Sequence, residues 1–226
     1  LMCVLYIYKP LHFLDNKIYD VLLKRTHNHE TTGIPIIVDL DERSIAQLGQ
    51  WPWPRYRMAL LIEKIRRLGA RSVGLDMVFS EPDRTSPRII HNELLQDLKI
   101  NVEFTGLPDA LMDNDKVLAS VLSTGPFILG YNFLFDDHNQ SQQDCLLHPL
   151  NIAYLRSSDV PEKTGHCLTA NGVACNLKIL SEAAPSSGFF NTVPDSDGVL
   201  RRTPLLIQWR GTFYPSLSLA TLLQTL

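Results

Sequence analysis

Cysteine is scarce in this chain, with 4 in 226 residues. That is too few for a scaffold held together by disulfides, and a chain of this length buries enough surface to fold without one. No two cysteines have the Cys-x-x-Cys spacing of a zinc or redox site. The sequence has no Gly-x-Ser-x-Gly elbow, no Ser-His-Asp arrangement and no phosphate-cradling glycine loop. The common hydrolase and nucleotide-binding classes therefore find no support. An excess of one charge is missing too. Lys plus Arg number 21 and Asp plus Glu 24, a formal net charge of −3, which gives no global pull toward nucleic acid. The lone Arg201-Arg202 pair reads as a solvated or salt-bridged feature of a strand. No apolar run approaches the roughly 20 residues that a membrane-spanning helix needs. There is no internal repeat and no low-complexity segment.

What is present is ordinary globular composition, 45% hydrophobic and 20% charged. The ends are unusual. Leu1–Tyr8 is apolar and stops at Lys9-Pro10. Tyr6, Tyr8 and Lys9 fit the interfacial end of a membrane helix; a buried terminal strand or turn fits the same residues. Ser216–Leu226 is an apolar helical run with no stop signal. Both ends read as cut from something longer.

Between them, apolar spacing predicts helices over His12–Arg25, Arg55–Leu68 and Asp109–Ser123, a short helical turn over Asp41–Gly49 and another short helix over Ala174–Glu182. Buried strands are expected at Ile34–Leu40, Ser72–Phe79 and Pro126–Phe135. Strands at Ser187–Val193 and Val199–Trp209 would be joined by a hairpin turn at Pro194-Asp-Ser-Asp-Gly198. The turn resembles the start of a calcium loop, but it lacks the closing Glu and the flanking helices. The fold class expected is α/β and three-layer-like, a parallel βαβαβ core extended by an antiparallel C-terminal hairpin.

The chemistry gathers near the ends of the first two strands. Asp39 and Asp41 close the first, Asp76 lies in the second, and Glu81 and Asp83 follow it. Ligands of parallel α/β sheets bind at the carboxyl ends of the strands. Carboxylates there could hold Mg²⁺ or Ca²⁺, with Asp39, Asp41 and Asp76 as the candidate metal ligands, or could pair with arginines as a structural cluster. Trp51, Trp53 and Arg55, in the rigid Trp51-Pro-Trp-Pro-Arg55 corner, would wall the crevice or pack the corner onto its helix. A strand ending in Asp39-x-Asp41 also suggests a metal-dependent phosphohydrolase, although the residues that should follow it in the haloacid-dehalogenase-like phosphatases are missing. Cys167 and Cys175 flank a polar loop and could bridge in an exported protein. His27 and His29, beside Glu30, read as solvated loop residues.

Several segments together resemble a known family. Ile36-Ile-Val-Asp-Leu-Asp-Glu-Arg-Ser44, Leu48-Gly-Gln-Trp-Pro-Trp-Pro-Arg55, Leu68-Gly-Ala-Arg-Ser-Val-Gly-Leu-Asp76 and Phe79-Ser-Glu-Pro-Asp83 are similar to the second type of CHASE domain. Gly188-Phe-Phe-Asn191, Pro194–Arg202 and Pro215–Ala220 look like its C-terminal pattern. The resemblance implies one extracytoplasmic sensor domain over residues 1–226, with 1–8 the end of a membrane helix and 9–25 a juxtamembrane helix. It implies no catalysis in this segment and a cytoplasmic cyclase or kinase as output. The partners implied are a small-molecule or ion signal, a second copy as homodimer, and a membrane reached through flanking helices, with no cofactor defined. A ligand-free dimerisation spacer is the other reading of the same residues.

Overall fold

The computed structural model describes residues 10–26, 35–136, 145–150 and 168–226. The chain divides into two compact units, Leu1–Trp51 with Pro194–Val199, and Pro52–Val193 with Leu200–Leu226.

The first unit carries two helices, α1 (Pro10–Thr26) and α2 (Glu42–Leu48). Lys24 and Arg25 lie in the last turn of α1, where cations complement the carbonyl end of the helix dipole. The expected strand at 34–40 does not form. Its described residues join no β-ladder, and Ile36 and Ile37 are 81% and 92% exposed. β-branched apolar residues make a run compatible with a strand, but a strand also needs a neighbour to pair with. The Pro194–Gly198 turn closes as expected. Gly198 N–H donates to Asp195 O at 2.8 Å, Asp195 N–H donates to Val199 O at 3.0 Å, and Gly198 takes φ +79°. No paired strands leave it, so it is a turn and not a hairpin.

The second unit is organised by β2 (Phe127–Leu134), whose first five residues are all buried. β1 (Val73–Leu75) and β4 (Ser186–Phe189) both run parallel to β2, and both align with Ile128 and Leu129. They therefore flank it on opposite edges. β3 (Gly172–Ala174) pairs antiparallel with the far end of β2, from Asn132 to Leu134. The parallel βαβαβ core thus exists, but its three strands are β1, β2 and β4.

Two asparagines complete this short sheet. Asn176 accepts from Phe79 N–H at 2.7 Å and donates to Gly130 O at 2.8 Å. Asn191 accepts from Phe133 N–H at 2.7 Å and donates to Phe133 O at 2.8 Å, so its amide continues the ladder where β4 stops. Each satisfies backbone groups that would be costly to bury unpaired. The expected strand Ser72–Phe79 is accordingly shorter, because past Leu75 the side chain of Asn176 replaces a strand neighbour.

Helix α3 (Arg55–Arg67) packs against α5 (Asn114–Leu122), which packs in turn against α6 (Lys178–Ala183). They bury Met58, Ala59 and Ile62, then Leu118, Ala119 and Leu122, then Leu180. These positions recur at three and four residues, as one helix face requires. A 3-10 turn at Asp109–Leu111 precedes α5, which divides the single helix expected over 109–123. Helix α4 (Pro87–Leu98), with proline in its first turn, lies in a stretch that reads as polar and proline-punctuated in sequence. The expected helix at 174–182 is displaced, its first residue ending β3 and only its part from Lys178 onward lying in α6.

The C-terminal hairpin is β5 (Leu206–Trp209) with β6 (Thr212–Pro215). Its turn is Arg210-Gly211, both at positive φ (48° and 79°), the backbone that two-residue hairpins favour. The antiparallel hairpin is therefore present, one turn later than the Asp-Gly signal. Trp209 and Tyr214 join Tyr131, Phe133 and Phe189 in an aromatic cluster with ring centroids 5.2–6.3 Å apart. Helix α7 (Leu217–Leu223) packs on β4, β1 and β2. Gly188 admits it. A Cβ there would lie 2.6 Å from Leu217 Cα and 2.8 Å from Leu217 N.

Cys175 is bonded to Cys145, with Cα atoms 5.9 Å apart, and not to Cys167, which lies outside the described residues. Packing brings Cys145 there. Leu147 is buried in the same cluster as Cys175, and His148 N–H donates to Ser187 Oγ at 3.1 Å.

Two outcomes follow. Gly188→Ala lowers stability by about 2 kcal/mol, because the new methyl meets backbone atoms that cannot turn aside; denaturant unfolding measures it. Reduction of the Cys145–Cys175 bond, which closes a separation of 30 residues, costs about 3 kcal/mol. Peptide mapping without reductant recovers Cys145 joined to Cys175.

Candidate functional site

Helix α3 begins where Pro54 ends the Trp-Pro-Trp-Pro corner. Proline carries no side-chain acceptor, so the N-cap position itself makes no side-chain bond. The missing cap comes from 28 residues away, as Arg55 N–H donates to Asp83 Oδ2 at 2.6 Å. The other oxygen of Asp83 accepts from Thr85 N–H at 2.9 Å and Thr85 Oγ1 at 2.7 Å. Asn114 Nδ2 donates to Asp83 Oδ2 at 3.0 Å and to Thr85 Oγ1 at 3.2 Å. Asn114 N–H donates to Ser86 Oγ at 3.1 Å. Asp83 N–H in turn donates to Asp115 Oδ2 at 2.9 Å.

Arg55 begins α3, Ser86 is the N-cap position of α4, and Asn114 begins α5. Three helix N-termini, each the positive end of a dipole, thus meet around two carboxylates. Asp83 and Asp115 are 7% and 6% exposed. The Arg55 guanidinium lies 4.4 Å over the Phe79 ring, its Nη2 donates to Glu81 O at 3.4 Å, and its Nε is 3.6 Å from Asp115 Oδ1. The last distance is an ion pair but too long for a hydrogen bond.

The two carboxylates are tuned in opposite directions. Burial pushes Asp83 up, but the donors from Arg55 N–H, Thr85 and Asn114 outweigh it and hold its pKa below the usual value. Burial also pushes Asp115 up, and there it prevails over the Asp83 N–H bond and the Arg55 charge, leaving the pKa raised.

The expected strand-end residues therefore separate. Arg55 and Asp83 meet directly, and Glu81 contributes its backbone carbonyl while its side chain is exposed. Trp53 is buried 3% exposed, with the Arg57 guanidinium 5.8 Å over its ring, so it packs the corner onto α3. Asp76 is exposed at the end of β1. Asp39, Asp41 and Trp51 belong to the first unit, where all three are exposed. Asp41 is the N-cap of α2: its carboxylate accepts from Ser44 N–H at 2.8 Å and Ser44 Oγ at 2.6 Å, which lowers its pKa. Among the described residues no group of three or more His, Cys, Asp or Glu is placed to hold a metal ion. Asp115 and Asn114 escaped the reading of the sequence. Their signal is Asp113-Asn-Asp115 just before an apolar helical run, a plain helix start.

Asp83→Ala removes the cap of α3 and three further donated bonds at once. It lowers stability by about 3 kcal/mol, while Asp83→Asn, which keeps an acceptor, costs less; thermal and chemical unfolding rank the two.

The family model described as the CHASE2 domain matches residues 1–226, and so spans both units. No curated protein and no solved structure matches the chain. Arg55 and Asp83, which close two of the segments that carried the resemblance, are the pair joined at 2.6 Å. The chain belongs to the CHASE2 domain family, a family of extracytoplasmic sensor domains of signalling proteins.

Proposed function

We propose that this chain is the signal-receiving part of a membrane-bound bacterial signalling protein, lying outside the cytoplasm and passing a change of shape or of dimer contacts to a cytoplasmic cyclase or kinase. The observation that carries the reading is the match of a sensor family over residues 1–226. The buried Arg55–Asp83–Asn114–Asp115 network supports it physically. A network that joins the first turns of three helices gives a local event in one of them a route to the others. A ligand acts through such a joint only if it binds two arrangements with different affinity. The sensor works as a homodimer in this reading, and membrane attachment comes from segments flanking the domain. Among the described residues no helix is long and apolar enough to cross a membrane.

The test is made in the full-length protein in its own membrane. Output activity is compared between the native protein and versions carrying Asp83→Asn or Arg55→Ala at equal expression. The expected outcome is an output locked high or low, together with loss of response to culture conditions. Unchanged output in both, and in a deletion of the whole domain, overturns the reading. Wild-type output from the point variants together with lost output from the deletion points to a ligand-free dimerisation spacer.

A further inference from the structure

We infer that Asp115, with Asp83 and Arg55, forms a proton-binding site at the meeting point of α3, α4 and α5, and that the proton is a signal this domain reads. The inference rests on the sensor reading above and names its ligand.

The Asp115 side chain is 8% exposed. Its Oδ2 takes the Asp83 N–H, but Oδ1 is buried with no hydrogen-bond partner, and so is the Arg55 Nε that faces it at 3.6 Å. An ionised carboxylate buried with one oxygen empty is poorly compensated. A proton on that oxygen removes the charge that burial penalises. Asp83 is the opposite case, since its two oxygens accept four donated hydrogen bonds and suit an ionised group. Two adjacent carboxyls, one fully donated to and one half empty, hold one proton between them more readily than none or two.

The charged groups facing Asp115 pull in both directions. Arg55 on α3 favours its charge, while Asp83 on the connecting loop and Asp113 at the start of its own helix oppose it. On α6 the two charged residues, Lys178 and Glu182, lie 3.8 Å from each other. Burial and the two negative neighbours raise Asp115, and the donors to Asp83 lower that carboxyl. Stability from Asp83 is present above the ordinary carboxylate pKa and is lost as pH falls through its lowered value. Stability tied to a neutral Asp115 is complete below the ordinary value and is lost as pH rises through the raised one. The closed cluster is therefore tightest in a mildly acidic window bracketing the ordinary carboxylate value of 3.8. Above the window the Asp115 charge gains by moving to water. That draws out the first turn of α5 and loosens the bonds of Asn114 to Asp83, Thr85 and Ser86. The proton binds the closed arrangement more tightly than the open one, which is the differential affinity a signal needs.

Carboxyl-carbon NMR of the intact chain follows the titration of Asp115 directly. It is expected to titrate above 3.8 and Asp83 below it, whereas an Asp115 that titrates at or below the ordinary value overturns the site. Protection of the Asp83 and Lys116 amides, taken relative to the intrinsic exchange rate at each pH, is expected to fall roughly tenfold as pH rises from the acidic window to neutral. Asp115→Asn keeps an acceptor for Asp83 N–H and cannot ionise, so it abolishes that fall in protection. A fall in protection that survives in Asp115→Asn overturns the proposal, and should the variant fail to fold, the wild-type titration still decides. In the full-length protein, output should follow external pH and lose that dependence in Asp115→Asn. Output indifferent to pH, in a protein whose α5 still titrates, overturns the proton as signal and leaves the sensor reading standing. Output indifferent even to deletion of the domain overturns both.

Discussion

The helical side of the larger unit is tied together by one long-range cap. Pro54 sets up the start of α3 but offers that helix no acceptor, and Asp83 supplies it from another part of the chain. Because the same carboxylate is held by Thr85 and Asn114, the cap is also the bolt that positions the loop at 79–86 and the first turn of α5. An N-terminal cap made within a helix stabilises only that helix. One made by a distant residue fixes tertiary structure as well, because it is satisfied only when both segments are in place.

The arrangement couples electrostatics to packing. Buried carboxylates are costly, and Asp83 is tolerated because donors surround it. Asp115 is less well served, lying beside an arginine that reaches it as a charge but not as a hydrogen-bond donor. Beneath this polar layer, Met58, Ile62, Leu118 and Leu122 form an ordinary apolar interface. A small rearrangement at the polar end need not disturb that interface. Such a joint suits a domain whose family receives signals and does not carry out chemistry.

Much of the fold was legible from pattern alone. The stripes of α3 and α5 and the apolar run of β2 announced themselves, because burying one face imposes a period on the residues that form it. α4 was hidden, since its proline reads as a breaker although the first helical turn accepts one. Of the eight candidate site residues, Arg55, Asp83 and, through its carbonyl, Glu81 share the cluster, and Trp53 packs against the same helix. Asp41 was marked out by its position after an apolar run, the same position a helix cap occupies, and residue type alone does not separate the two roles.

The amino-acid sequence by itself determined helices α1, α2, α3 and α7 and the apolar face of α5, which apolar run lies at the centre of the sheet, and, through the Trp-Pro-Trp-Pro-Arg and Ser-Glu-Pro-Asp segments, the family. These are local properties, written in spacing and in proline's fixed backbone angle. Tertiary structure decided which strands pair, which cysteine bonds Cys175, and which carboxylates meet. Ile36–Val38 has all the marks of a strand and joins no ladder, while Ser186–Phe189, expected as the start of one arm of a hairpin, pairs parallel beside β2. Pairing and burial belong to two segments at once, and no period along one of them records the presence of the other.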